Sequence, residues 1–390
     1  MFGVKRMNIR SGGKLAVKLV ILLVILVTCI VVSGCVRGMQ AVGWSGVAIS
    51  DGTLYVGSAD GRLVAIKSDG SRVWSEPLKF PAPSGGCASS PEGTTGGGCS
   101  SSASTAVAIY GTPVIAGDLV YLSGYNGKVH AFDVPTMEKR WSYPVEEYLK
   151  PIVGGLALYS DKLYFGTSDG RLFALDATKG IKKWEFQAGN KFWTTPVVSK
   201  GTVFIGSFDK KLYAVDAETG KQKWEFLTGG TITATALVYQ DTVYIGSFDR
   251  KLYALDAATG SKKWEFEAEN WFWATPVPYE NAIYAGCLDG NVYVLNSQTG
   301  AKITSFQVGP VAATPVLAGK SIIVGNDKGE IYSIDAVGQN LKKLTDLGVH
   351  ISAPLSVSKN IVYVHTSDLV VHPVDVTTGT KLTPVILKKE

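Results

Sequence analysis

A segment of about 40 residues recurs along most of this chain, and a repeat of that length restricts the fold more than any other feature. Three consecutive copies read LYFGTSDGRLFALDATKGIKKWEF from Leu163, VFIGSFDKKLYAVDAETGKQKWEF from Val203 and VYIGSFDRKLYALDAATGSKKWEF from Val243. The residue that closes the "LD" pair tracks the array at Asp133, Asp176, Asp216, Asp256, Asn296, Asp335 and Asp375, in nearly even steps. An earlier copy, LYVGSADGRLVAIKSDGSRVW from Leu54, carries Lys67 at this position. That makes eight copies. The step from Lys67 to Asp133 is much longer than the others, so a stretch is inserted between the first copy and the second.

Each copy divides into four short runs rich in β-branched and aromatic residues. In the fourth copy they are a run near Thr195–Val198, then VFIGS, LYAVD and KQKWEF, separated by turns at Gly201, Asp209 and Thr219-Gly220. Four antiparallel strands per repeat of this length form the unit of a β-propeller blade, and one such sheet cannot bury both faces alone. The expected fold is all-β: an eight-bladed propeller of four-stranded antiparallel blades over 44–387, forming a monomeric ring. Seven blades plus an extra module is the alternative. Hydrophobic residues make up 46% and charged residues 18%, which excludes a disordered chain.

The "LYALDAxTG…W" run and the "TP" entry that leads into several repeats resemble the PQQ-like, or quinoprotein-type, propeller family over residues 44–387. The resemblance implies that Trp74, Trp141, Trp184, Trp224 and Trp264 pack between neighbouring blades. The last three repeats carry Thr304, Leu344 and Leu382 near that position. Quinoprotein dehydrogenases of this family hold pyrroloquinoline quinone and calcium and often carry a vicinal disulfide. Here no two cysteines are adjacent, and the repeated Asp residues are expected to cap local backbone N–H groups. His130, His350, His365 and His372 show no paired metal spacing and are expected in packing or surface roles. The reading is therefore of a chain that is not an enzyme, with no metal, quinone or calcium.

The N-terminus reads as an address. Lys5, Arg6, Arg10, Lys14 and Lys18 precede an unbroken run of mostly apolar residues, Leu19 to Val32, too short to span a bilayer comfortably. Val32, Ser33, Gly34 and Cys35 then resemble a bacterial lipobox, which implies cleavage before Cys35 and a lipid on its thiol. The expected organisation is a signal peptide over 1–34, a lipidated tether over 35–43, the propeller, and a tail over 388–390. Val36, rather than Asp, permits delivery to the periplasmic face of an outer membrane where one exists; otherwise the chain is anchored on the outer surface of the cell membrane. The net charge of +5 belongs to this address, since the rest carries 33 basic against 33 acidic residues. A neutral body gives no footing for nucleic acid.

Residues 76–106 are rich in Gly, Ser and Pro and read as an exposed insertion. Cys87 and Cys99 lie within it, and export to an oxidising compartment leads to the expectation of a disulfide between them. Just before the first strand of several repeats stand Trp44, Tyr110, Trp193 and Trp273, with Phe192, Trp271 and Phe272 beside them. They either pack between blades or form a candidate binding rim at the channel mouth for a peptide, a glycan or a partner loop. The whole combination resembles the BamB family of lipoprotein scaffolds. That resemblance implies a non-catalytic scaffold at the cell envelope with an outer-membrane β-barrel assembly protein as partner. A surface sensor or adhesin, or a PQQ-dependent dehydrogenase-like enzyme, is the alternative.

Overall fold

The structure is a computed structural model and describes residues 45–387 except 59–60, 68–69, 72, 74–77, 80–107 and 338. The lipobox with Cys35, the cysteines Cys87 and Cys99, and Trp44 and Trp74 all lie outside the described residues. Every described element is a strand, and the strands form eight four-stranded antiparallel sheets. Each sheet uses four strands consecutive in sequence, so no strand is exchanged between the ends. The alternative of seven blades plus a module is thereby excluded.

Blade 4 shows the plan: Val197–Ser199 innermost, then Thr202–Gly206, Lys211–Asp216 and Gln222–Leu227 outermost. The middle strands are apolar on both faces because each blade is sandwiched between two others. Thr202–Gly206 is buried at every position. Outermost strands alternate instead, with Trp184 and Trp264 buried between exposed Lys and Glu. Blade 1 ends in the two-residue strand Leu78–Lys79, which pairs with Arg62 and Leu63 and so reaches into the stretch read as the insertion.

The core is eight cores. One cluster of buried side chains lies between each neighbouring pair of blades, from blades 1 and 2 round to blades 8 and 1. The last joins Val47, Leu54 and Val56 to Tyr363, Val371 and Val385 and closes the ring. Two hydrogen bonds cross the same seam: Ser356 Oγ donates to Val47 O at 2.6 Å, and His365 Nδ1 lies 2.7 Å from Ser45 O. Near the axis, the threonines of the "TP" segments link neighbours. Thr112 Oγ1 accepts from Gly46 N, Thr195 Oγ1 from Gly155 N, and Thr235 Oγ1 from Thr195 N.

Four of the repeated tryptophans reach across to the following blade. Nε1 of Trp141, Trp184, Trp224 and Trp264 donates at 3.0–3.2 Å to the carbonyl of Ala177, Ala217, Ala257 and Ser297 there. The indole slides under the glycine of that blade's turn. A Cβ on Gly220, where φ is +73°, would stand 2.7 Å from the Trp184 ring, which is why this turn needs glycine. The turn is held from within by Asp216 Oδ1, which accepts from the N–H groups of Glu218 and Thr219.

Candidate binding face

Two kinds of loop share one face of the ring: the segment leading into each innermost strand, and the turn between the second and third strands. Phe208 N donates to Lys191 O and Phe248 N to Thr231 O, which ties the two together. In the lead-in segments side chains alternate. Phe192 and Phe272 point into the inter-blade cores and are fully buried, while Trp193 and Trp273 turn toward the rim and are half-buried.

The rim residues fall into separate groups. On blade 4, Trp193 meets Phe208 edge-on with centroids 4.6 Å apart, and Lys191 Nζ lies 4.4 Å from both ring centres. On blades 5 and 6, Phe248 stacks on Trp271 at 4.4 Å and 9° and also meets Trp273 at 5.4 Å. Trp271 is 41% exposed, so this stack has one open side. Tyr110 stands apart on blade 2, where its ring meets Tyr125 at 5.5 Å. Blade 3 carries Val153 at the aligned position and breaks the arc. The aromatic residues of blades 4 to 6 thus form two groups, with Thr233 of blade 5 at the aligned position between them.

Two polar atoms inside this arc have no hydrogen-bond partner: Trp193 Nε1 and Thr233 Oγ1, the latter at the aligned position of blade 5. Both atoms are buried, and a buried donor without a partner costs about 1–3 kcal/mol. The sequence reading missed Phe208, Phe248 and Tyr125, which sit in turns. The signal was present: adjacent copies read "GSFD" where blade 3 has "GTSD".

Three carboxylates on this face are committed, whereas Asp327 Oδ1, in the corresponding turn of blade 7, is buried without a partner. Asp209, Asp249 and Asp289 each accept from the hydroxyl of Tyr213, Tyr253 or Tyr293 at 2.7 Å, and from the backbone N–H of Lys211, Lys251 or Asn291. Burial and the adjacent carboxylate push these tyrosine hydroxyls well above their usual pKa. Three of the four histidines hydrogen-bond through Nδ1, whereas His372 Nε2 is buried without a partner. His130 Nδ1 lies 3.0 Å from Ser142 Oγ, and burial lowers its pKa to about 3. His350 Nδ1 lies 2.8 Å from Asp327 O. Cys287 is buried, with its thiol pushed up to about 12 by desolvation. Among the described residues no three His, Cys, Asp or Glu side chains come together in a way that could hold a metal ion.

Comparisons with known proteins agree with this architecture. The chain is 24% identical to outer membrane protein assembly factor BamB of Shewanella oneidensis over 160 residues, 40% of this chain and 35% of that one. It is 37% identical to a quinohemoprotein alcohol dehydrogenase of Comamonas testosteroni over 108 residues, 24% of this chain but only 15% of that protein. Among solved structures, BamB from Moraxella catarrhalis superposes with a TM-score of 0.62 at 19% identity, covering 71% of this chain and 87% of that one, a likeness of fold. The matched segments span well under two thirds of the curated relatives' lengths. The sequence profile described as outer membrane protein assembly factor BamB matches residues 45–184, 151–268, 227–336 and 288–382, so the chain belongs to that family.

Proposed function

We propose that this protein is a non-catalytic scaffold of the cell envelope, lipid-anchored through Cys35, that holds an extended loop of a partner protein on the face of blades 4 to 6. It acts without quinone or metal, and its partner is a component of outer-membrane β-barrel assembly. One observation carries the reading: an open aromatic arc, Trp193–Phe208 and Phe248–Trp271–Trp273, encloses two donors without partners, Trp193 Nε1 and Thr233 Oγ1. A docked loop would pack on the open side of the Phe248–Trp271 stack, where the rings supply apolar contact with little loss of side-chain entropy. The hydrogen bonds that engage Asp209, Asp249 and Asp289 on the same face favour binding over acid–base chemistry.

Photo-crosslinking from Phe248 or Trp271 in native membranes is the test. The expected product joins the chain to an outer-membrane β-barrel assembly protein, and Trp193→Ala with Trp273→Ala abolishes it while the melting temperature stays near that of the unaltered protein. Purified protein that carries quinone absorbance and oxidises alcohols would overturn the reading. A Cys35→Ser variant is expected in the soluble rather than the membrane fraction.

A further inference from the structure

Outermost strands of propeller blades are exposed sheet edges, and an exposed edge invites another strand unless charge guards it. Blades 3 to 5 are guarded. Lys183–Asp176, Lys223–Asp216 and Lys263–Asp256 cross their outer hairpins at 3.1, 3.2 and 3.5 Å. Lys211–Glu225 and Lys251–Glu265 add a second pair at 2.5 Å on blades 4 and 5. Arg140–Asp133 on blade 2 and Lys343–Glu330 on blade 7 serve likewise.

Blade 6 has lost these guards together. At the aligned positions Asn296 replaces the Asp, Ile303 the Lys, Asn291 the second Lys, Ser305 the Glu and Thr304 the indole. No ion pair joins its outermost strand, Lys302–Gln307, to any described residue. Ile303 is 48% exposed where its counterparts are lysines. The missing indole also leaves the next turn uncovered. Ala336 O accepts from Tyr284 without the indole N–H that Ala217 O receives in addition to Tyr164.

We infer that the outer edge of blade 6 accepts an extended strand from a partner, uncharged and alternating β-branched with aromatic residues, one aromatic side chain entering the slot that tryptophan fills elsewhere. Backbone hydrogen bonds supply the affinity of such strand addition, and the cross-strand neighbours supply its selectivity. Lys302 is the one charged side chain of this strand, so the edge offers no partners to a segment carrying several charges, whose side chains would be desolvated. Alternation of this kind is the pattern of a transmembrane β-barrel strand. This surface lies on the outer rim, apart from the aromatic face.

The test uses the full chain and a labelled synthetic peptide, Thr-Val-Thr-Trp-Thr-Tyr-Thr-Val, read by fluorescence anisotropy. Ile303→Lys with Ser305→Glu is expected to weaken binding at least tenfold without lowering the melting temperature. A peptide N-methylated on alternate amides, which keeps its side chains but loses its ladder donors, should not bind the unaltered protein. This second arm holds whether or not the double variant folds. Trp193→Ala with Trp273→Ala should leave peptide binding intact, which separates this inference from the proposed loop-face function. Absent binding, binding indifferent to the added charges or to N-methylation, or self-association of the chain through this edge would overturn it.

Discussion

Blades 2 to 5 and blades 6 to 8 solve one problem in two ways. In the first group an indole reaches across each interface, donates to a carbonyl and roofs a glycine turn, with a Tyr or Phe ring 5.7–6.0 Å beneath it. In the second no indole crosses, and mostly aliphatic side chains fill the interfaces beside Tyr284 and Tyr363. Val292, Val294, Val311, Ile322, Val324 and Ile334 fill the contact of blades 6 and 7, and Leu355, Val362, Val364 and Val374 that of blades 7 and 8. Outer strands follow suit, since blade 8 ends in the short strand Val385–Ile386 after Pro384, which has no N–H for the ladder. The middle strands suffice for closure, and the outer strand is then released for other uses. In blades 2 to 5 it locks the ring, and in blade 6 it stands open.

The largest test of this division is Trp184→Ala. The side chain is buried and hydrogen-bonded, and its loss leaves a cavity under Gly220. The expected cost is about 3–5 kcal/mol. Thr304→Ala at the aligned position should cost no more than about 1 kcal/mol. Urea denaturation of both variants measures the difference. Equal losses would mean that the indole contributes nothing special.

A middle-sized effect comes from pH. Burial lowers the pKa of His130 to about 3 and depresses those of His365 and His372. The folded state therefore keeps these rings neutral, while the unfolded chain takes up protons below about pH 6.5. Their contribution to stability is complete above that pH and is lost as pH falls through the window beneath it. For His130 the loss reaches about 2 kcal/mol by pH 5. Lys128 and Lys139 reinforce the depression at His130, whereas Asp368 opposes it at His365. His130→Asn and His365→Asn should each flatten the melting-temperature profile between pH 4 and 7. The first should flatten it on the indole side of the ring, the second at the polar seam of blades 8 and 1.

Much of this was legible in sequence. The repeat period pointed to eight blades because the turns carry recurrent Asp and Gly punctuation, and Trp184, Trp224 and Trp264 were readable because each follows the turn glycine, Gly180, Gly220 or Gly260, at the same offset. The binding arc was legible only in part. Trp193 and Trp273 stood out by alignment, but Phe208 and Phe248 sit where a turn residue is expected to face water. Their role depends on a lead-in segment distant in sequence and brought close only by the fold. Tyr110 aligned equally well and yet lies apart, because a ring places aligned positions one blade apart and blade 3 offers Val153 between. The unguarded edge was written in five substitutions, but each reads as an ordinary surface change until the strands are paired.

The smallest effect is the most telling. Thr304→Trp puts an indole back at the interface of blades 6 and 7, where Ala336 O already faces the slot and accepts from Tyr284. Two features oppose a full gain. The residue across the ladder is Val294 rather than Ala254, which crowds the ring, and the sequence from Asp335 to Gly338 is shorter than that from Asp216 to Gly220. Burial of the ring offers about 1.5–3 kcal/mol and overpacking removes much of it, so the expected rise is about 1 kcal/mol or less. A gain as large as the Trp184→Ala loss would show that the two halves differ by the indole alone. A net loss would show that the backbone of blade 7 was built without room for it. In either case the filled slot should weaken strand capture at blade 6, because the side chain now occupies the place reserved for the partner's aromatic residue.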